Sequence, residues 1–264
     1  MGRSSGRQGR GDVVTIDLNC DIAEGFGVWR IADDDALLSV VSSANIACGF
    51  HAGDPGTMRR ACVTAVKHGV AIGAQVSYRD LAGFGRRFID VPPMDLVDDI
   101  LYQLSALHGL AKVSGGRLSY VKPHGALYNA IVTHEAQAAA VVEAVRQFDA
   151  SLAVLGLPGS RWLALAAEAG LETVPEAFAD RAYTPEGTLV SRREPGAVVS
   201  DVSVVTERAV RFATEGTVVA TDGSIVDAQA RSICVHSDTP GAFELARAVR
   251  TALVAAGLRV ASFT

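Results

Sequence analysis

The sequence contains no pair of cysteines at C-x-x-C spacing. That excludes a zinc knuckle and a dithiol redox motif. Its four cysteines, Cys20, Cys48, Cys62 and Cys234, sit in apolar surroundings, as reduced, buried thiols do in a cytoplasmic protein. Aromatic residues make up only 6% of the chain, which leaves few platforms for stacking sugar rings. No apolar run reaches the roughly 18 residues of a membrane span. The first dozen residues, MGRSSGRQGRGD, lack the apolar segment of a secretory signal. A strong charge of either sign is also missing. The net charge is −5, so nothing electrostatic argues for nucleic acid or a membrane as partner. After the first strand-like run, GFGVWR has two glycines of a dinucleotide loop but not the third. No G-x-S-x-G nucleophile elbow occurs.

What remains is a globular composition, 49% hydrophobic and 20% charged, with a mean hydropathy of +0.24. Residues 1–12 read as a flexible tail, and residues 13–264 as a single cytoplasmic domain. Short β-type runs alternate with helical patterns along that domain. Strands are expected at 13–20, 45–50, 70–76, 118–124, 152–157, 172–178 and 232–238. Helices are expected at 33–44, 54–69, 93–115, 134–148, 160–170, 201–216 and 239–257. Asp54 then Pro55 opens one helix and Gly69 closes it; Thr239 with Pro240 is expected to open the last. Asp222-Gly223 marks a hairpin turn within 217–228. Strands alternating with helices imply a parallel sheet. Seven such units in a chain this long predict an α/β fold closed into a TIM-like (β/α) barrel.

In such a barrel the reaction site lies at the carboxyl ends of the strands. Polar residues gather there: Asn19, Asp21 and Glu24; His51 and Asp54; Gln75, Ser77, Tyr78 and Asp80; Lys122, His124, Tyr128 and Asn129; Glu176, Asp180, Arg181 and Tyr183; His236 and Asp238. The strand interiors, by contrast, read as largely apolar. Lys122 and His124 are two apart on an extended segment and so face the same way. His68, His108 and His134 lie on helices and are read as ordinary helix residues. Asp54 reads equally as a helix cap, and Asp17 as a structural residue within its strand. Imidazoles can move protons near neutral pH. Carboxylates can act as bases, orient a histidine or hold a metal. A lysine and an arginine can hold an anion or a developing oxyanion. The set suits hydrolysis of an amide, lactam or ester by a base-activated water.

Five motifs resemble the LamB/YcsF family, that of the A subunit of bacterial 5-oxoprolinase: DLNCDIAEGFG (17–27), ANIACGFHAGDP (44–55), VKPHGALYN (121–129), EAFADRAYTPEGTLVSR (176–192) and ICVHSDTPGA (233–242). The resemblance implies a seven-stranded barrel like those of the glycoside hydrolase/deacetylase superfamily. It implies ATP-dependent opening of 5-oxo-L-proline to L-glutamate together with B and C subunits. Those partners would bind ATP and phosphorylate the lactam. The residues carried over as catalytic are Asp21, Glu24, His51, Lys122, His124 and His236, with His124 or His51 activating water. Asn19, Tyr78, Asn129, Glu176, Asp180 and Arg181 are expected to bind substrate.

The third strand departs from the family pattern. GAQVSYRD (73–80) stands where the family usually reads Gly-Ala-His-Pro-Ser-Tyr-Pro-Asp, so Gln75 replaces a histidine, and Ser237 replaces a usual glycine. An amide oxygen is a poor zinc donor, which leaves a divalent metal open. Two other readings stand beside this one: a metal-dependent deacetylase of carbohydrate or similar amides, and a non-catalytic ligand-binding subunit. The sequence does not decide whether the chain forms a homodimer.

Overall fold

A computed structural model describes residues 13–264; the tail expected at 1–12 lies outside them. The first strand, β1 (Thr15–Ile22), leads through a short helix α1 (Asp34–Leu38) to β2 (Ser43–Ala47). Helix α2 (Pro55–His68) and strand β3 (Ala71–Val76) follow, then α3 (Pro93–Val113) and β4 (Leu118–Pro123). Two helices, α4 (Gly125–Ala130) and α5 (Glu135–Asp149), precede β5 (Ala153–Gly156). Helix α6 (Arg161–Glu168), β6 (Thr173–Phe178) and α7 (Val202–Glu215) come next. The hairpin β7 (Thr217–Val219) and β8 (Ile225–Asp227), then β9 (Ser232–Val235), α8 (Ala242–Ala255) and β10 (Arg259–Val260), complete the order.

Strands β1 to β6 pair in sequence order, all parallel, and β9 closes the ring between β6 and β1. The result is a closed seven-stranded barrel. Strand β10 adds a short parallel pairing at the start of β1, and β7–β8 is the antiparallel hairpin that Asp222-Gly223 announces. The cap signals explain most helix limits. Asp54 accepts from the Gly56 and Thr57 amides, with Pro55 behind it, and Gly69 ends α2 in the left-handed region at φ 67°. Asp201 caps α7 in the same way.

Two helix starts and stops differ from expectation. Helix α1 ends at Leu38 rather than running to 44, because β1 claims the next residues: Leu18 N donates to Ser42 Oγ at 2.8 Å. Helix α8 starts at Ala242, with Gly241 at its N-cap position at φ 75°. Thr239 and Pro240 remain in the preceding turn, where the neighbouring Asp238 is held by Arg86 and Arg192.

The larger correction concerns the barrel axis. It is polar, not apolar. In TIDLNCDI, Ile16, Leu18, Cys20 and Ile22 pack outward into the core, while Asp17, Asn19 and Asp21 form polar contacts inside. Asp17 accepts from Ser42 and Ser43 hydroxyls at 2.6 and 2.7 Å, and from Ser232. Asn19 donates to Ser232 Oγ at 2.7 Å and accepts from Asn45 at 2.7 Å. Asn45 also donates to Asp21 Oδ1 at 2.9 Å. The Tyr120 hydroxyl donates to Asn45 Oδ1 at 2.7 Å. Gly73 makes this possible, since a Cβ there would run into the Tyr120 ring. Burial pushes the Asp17 carboxyl up to about 6, against the hydroxyls that donate to it.

Candidate active site

At the carboxyl ends of the strands the polar column opens into a cavity of about 790 Å³. Its wall includes Asp21, Gln75, Lys122, His124, Tyr128, Phe178, Arg181 and His236. Arg86, Arg87, Arg192 and Arg193 border it from the β3–α3 and β6–α7 loops. Among the described residues Asp21 is the one acidic group lining it. Arg86 and Arg192 share Asp238, and Arg87 pairs with Asp80, so much of the positive charge at this opening is matched by carboxylates just outside the wall.

Lys122 stands at the junction of column and cavity. Its Nζ donates to Glu176 Oε2 at 2.9 Å, to Asn19 Oδ1 at 3.2 Å and to Cys234 Sγ at 3.2 Å, and lies 3.5 Å from Asp21 Oδ1. Burial alone would favour a neutral amine, but Asp21 and Glu176 outweigh it and hold the ammonium well above its ordinary pKa. Burial would likewise raise Asp21. Lys122, His236 and His124 reverse that and hold the carboxyl below its ordinary range.

His236 and Asp180 form a dyad. The His236 Nδ1 lies 2.9 and 3.0 Å from the two Asp180 oxygens, and the His236 amide donates to Oδ2 at 2.9 Å. A carboxylate only accepts, so Nδ1 carries a proton, and in the neutral ring Nε2 offers a lone pair. The His236 ring lines the cavity and stacks on Phe178 at 5.3 Å. The dyad keeps Asp180 ionised: burial opposes this, but His236 lowers its pKa.

The other two imidazoles lie stacked, with ring centres 4.0 Å apart. His51 Nε2 is 3.2 Å from Gln75 Oε1. Gln75 Nε2 donates to His124 Nδ1 at 3.0 Å and to Glu24 Oε1 at 3.2 Å. His124 Nε2 faces the Phe84 carbonyl at 3.0 Å. Ser237 donates to Glu24 Oε2 at 2.8 Å. Burial pushes His51 well below its usual pKa, and lowers His124 to about 4 despite the pull of Asp21. Burial, reinforced by Asp21, raises Glu24 to about 8. The group is thus uncharged near neutral pH. Gly85, at φ 64°, covers it: a Cβ there would lie 2.5 Å from Ser77 Oγ and 2.9 Å from both His124 Cδ2 and His51 Cβ.

The residues expected from sequence therefore divide. Asp21, Lys122, His124, His236, Asn129 and Arg181 line the cavity. Arg181 is anchored by donation to the Ala197 and Val190 carbonyls at 3.2 and 2.6 Å. Glu24 and His51 are buried behind this wall. Asn19 and Glu176 are a layer lower, bonded to Lys122 and to each other through Glu176 Oε2, while Glu176 Oε1 is buried without a partner. Asp180 meets His236 rather than open space. Tyr78 turns away: its hydroxyl bonds Gln137 on α5 and its ring packs edge-on against Phe88. His124 has both nitrogens engaged, so the expected role of activating water does not fit its surroundings. Sequence reasoning passes over Gln75 as a partner, and Arg86, Arg192 and Arg193 altogether. Arg86, within GRR just after Phe84, and Arg192-Arg193 show in the sequence only as a paired basic signal in two loops. Asp54 proves to be a helix cap, which also accepts from the Gly27 amide at 3.0 Å.

Relatives match along nearly the whole chain. The A subunit of a 5-oxoprolinase from Streptomyces avermitilis is 62% identical over 248 residues, covering 94% of this chain and 99% of its own length. Its counterpart of the same name from Mycobacterium avium is 58% identical over 248 residues, covering 94% of this chain and 98% of that one. The crystal structure of a lactam utilization protein from Thermus thermophilus superposes with a TM-score of 0.90 at 43% identity, covering 94% of this chain and 100% of that one. The LamB/YcsF family model matches residues 16–264, which takes in every strand of the barrel but the first residue of β1, and the chain belongs to the LamB/YcsF family.

Proposed function

We propose that this chain is the ring-opening subunit of an ATP-dependent 5-oxoprolinase, hydrolysing 5-oxo-L-proline to L-glutamate. The observation that carries the reading is the Asp180–His236 dyad on the wall of a cavity that the buried, charged Lys122 also lines. The names of the relatives at 62% and 43% identity supply the substrate class.

In this reading His236 Nε2 takes a proton from water as the water oxygen bonds to the ring carbonyl carbon. Asp180 stabilises the imidazolium that results. Lys122, whose N–H groups are already engaged, contributes positive charge on the cavity wall to the developing oxyanion rather than a hydrogen bond. His236 then returns the proton to the ring nitrogen as the carbon–nitrogen bond breaks; from a substrate phosphorylated on the ring oxygen this leaves an amine and an acyl phosphate, and a second water cleaves the acyl phosphate to the carboxylate and inorganic phosphate. A ring amide is a poor electrophile, so prior phosphorylation by partner B and C subunits, which bind the ATP, is part of the proposal. The cavity supports it: about 790 Å³ is far more than a small lactam fills, and the arginines match a substrate with both a carboxylate and a phosphoryl group.

The test is glutamate release from 5-oxoproline and ATP by B and C subunits, with and without this chain. Release should depend on the chain and vanish with His236→Ala. Release at full rate without it would overturn the proposal. Binding of 5-oxoproline without turnover, with B and C supplied, would make it the non-catalytic subunit instead.

A further inference from the structure

Two clusters in this barrel have the donor types a divalent metal takes: Glu24, His51 and His124, and Asp21, Cys234 and His236. In each, one donor atom per residue lies within 4.8 Å of the others. Both clusters already hold an occupant that belongs to the chain. In the second it is the Lys122 ammonium, 3.2 Å from Cys234 Sγ and 3.5 Å from Asp21 Oδ1. A cation there meets a charge of its own sign, and the donors do not fit a resident metal.

The first cluster is filled by a neutral side chain. We propose that Gln75 stands in the place of an ion: it is a positioning residue whose carboxamide fixes the proton of His51, occupies the lone pair of His124 and closes the Glu24–His51–His124 cluster to metal. Matching donors to acceptors assigns the ring protons of both histidines. The Phe84 carbonyl only accepts, so His124 carries its proton on Nε2, 3.0 Å away. Its Nδ1 is then a lone pair, and that lone pair is taken by a Gln75 N–H at 3.0 Å. The second N–H of the same amide goes to Glu24 Oε1 at 3.2 Å. The amide oxygen is left facing His51 Nε2 at 3.2 Å, so His51 is protonated there too. One acceptor and two donors meet one donor and two acceptors. Metal binding to this set would require His51 to shift its proton to Nδ1 or turn its ring over, His124 to release its lone pair, and the fully buried Gln75 to move.

Two consequences bear on the reaction site. His124 keeps no free nitrogen, and His51 keeps only Nδ1, buried and without a partner. Gln75 thereby turns two of three imidazoles into a rigid neutral wall and leaves proton transfer to His236. A histidine at position 75 has two ring nitrogens for three demands, and would itself be a third imidazole donor.

The experiment uses the whole chain labelled with 15N-histidine, without substrate. His51 and His124 should each show a protonated Nε2 and an unprotonated Nδ1 that do not titrate across neutral pH. In Gln75→Leu the His51 pattern should give way to averaged tautomers, while His124 keeps the proton that the Phe84 carbonyl holds. Added Co2+ should leave the wild type without a visible ligand-field band, whereas Gln75→His should bind about one equivalent through nitrogen. A protonated Nδ1 on His124, or stoichiometric Co2+ bound through imidazole in the wild type, would overturn the proposal. In the reconstituted assay Gln75→Leu should lower kcat roughly 10- to 100-fold, as loss of an orienting partner does, with KM little changed. A rise in KM alone would refute the positioning role. Only this last arm rests on the proposed reaction. If the wild type itself gives no turnover, the reaction assignment falls, while the tautomer and cobalt results still decide the case of Gln75.

Discussion

Asp180 and His236, 56 residues apart in the chain, meet just beyond the ends of the neighbouring strands β6 and β9, with Nδ1 2.9 Å from Oδ1. The pair fixes one proton and leaves one lone pair. Asp180→Asn would replace an acceptor by an amide that can donate to Nδ1. The proton would then move to Nε2, and the base would face the cavity in the wrong tautomer. Glutamate release should fall roughly 10²- to 10⁴-fold, while the thermal unfolding midpoint changes little. A variant that keeps wild-type kcat would remove His236 from the role of base.

Lys122 is different, because stability and activity depend on it together. Its removal strands Asp21 and Glu176 in a buried site. Lys122→Met keeps the stem but loses the charge, and breaking a buried ion pair by removing one partner costs about 3–5 kcal/mol. Urea unfolding should show the loss directly. An unfolding midpoint unchanged from wild type would mean that the two carboxylates find other partners.

The pH dependence of stability carries the signature of Glu24. Its folded pKa is raised to about 8 from an ordinary value of 4.5, so the folded state keeps a proton that the unfolded state has released. Stability must therefore fall as pH rises between those values, and level off above about 8. His51 and His124, shifted downward, act in the opposite sense, but only below their ordinary pKa of 6.5. From about pH 6.5 to 8 the Glu24 slope stands alone among these three, at about 1.4 kcal/mol per pH unit for a full proton. Denaturant titrations across that interval should show it, and Glu24→Gln should flatten it. A Glu24→Gln protein with the wild-type slope would place the titrating proton elsewhere.

Gly85→Ala tests how tightly the stacked imidazoles are covered. The left-handed backbone at φ 64° costs a residue with a Cβ about 1–2 kcal/mol. The new methyl would also press on Ser77, His51 and His124. Loss of stability larger than the backbone cost, with shifted histidine NMR signals, is expected. Equal signals in the two proteins would show the loop free to lift.

Much of the architecture is readable in the sequence. Asp54-Pro55 and Gly69 bracket α2 as caps, and Asp222-Gly223 turns the hairpin. The polar strand ends do converge, because β-strand alternation and parallel register put them on one rim. The alternation inside the strands is harder to see: Asp17, Asn19 and Asp21 are spaced by two, and the apolar residues between them mask that period. The roles within the site are harder still. Gln75 meets His124 and Glu24 across 49 and 51 residues, and hydrogen-bond directions over such separations leave no mark on local sequence. Tyr78 shows the converse: it follows a strand that does reach the site, yet its own side chain lies against α5.

The inner wall of the barrel is held by directional bonds, running from Asp17 through Ser232 and Asn19 to Lys122. Oil-like packing tolerates small readjustments, whereas a lattice of matched polar groups transmits them. The deepest layer, far from any solute, thus acts as the foundation on which the alignment of the reacting groups is levelled.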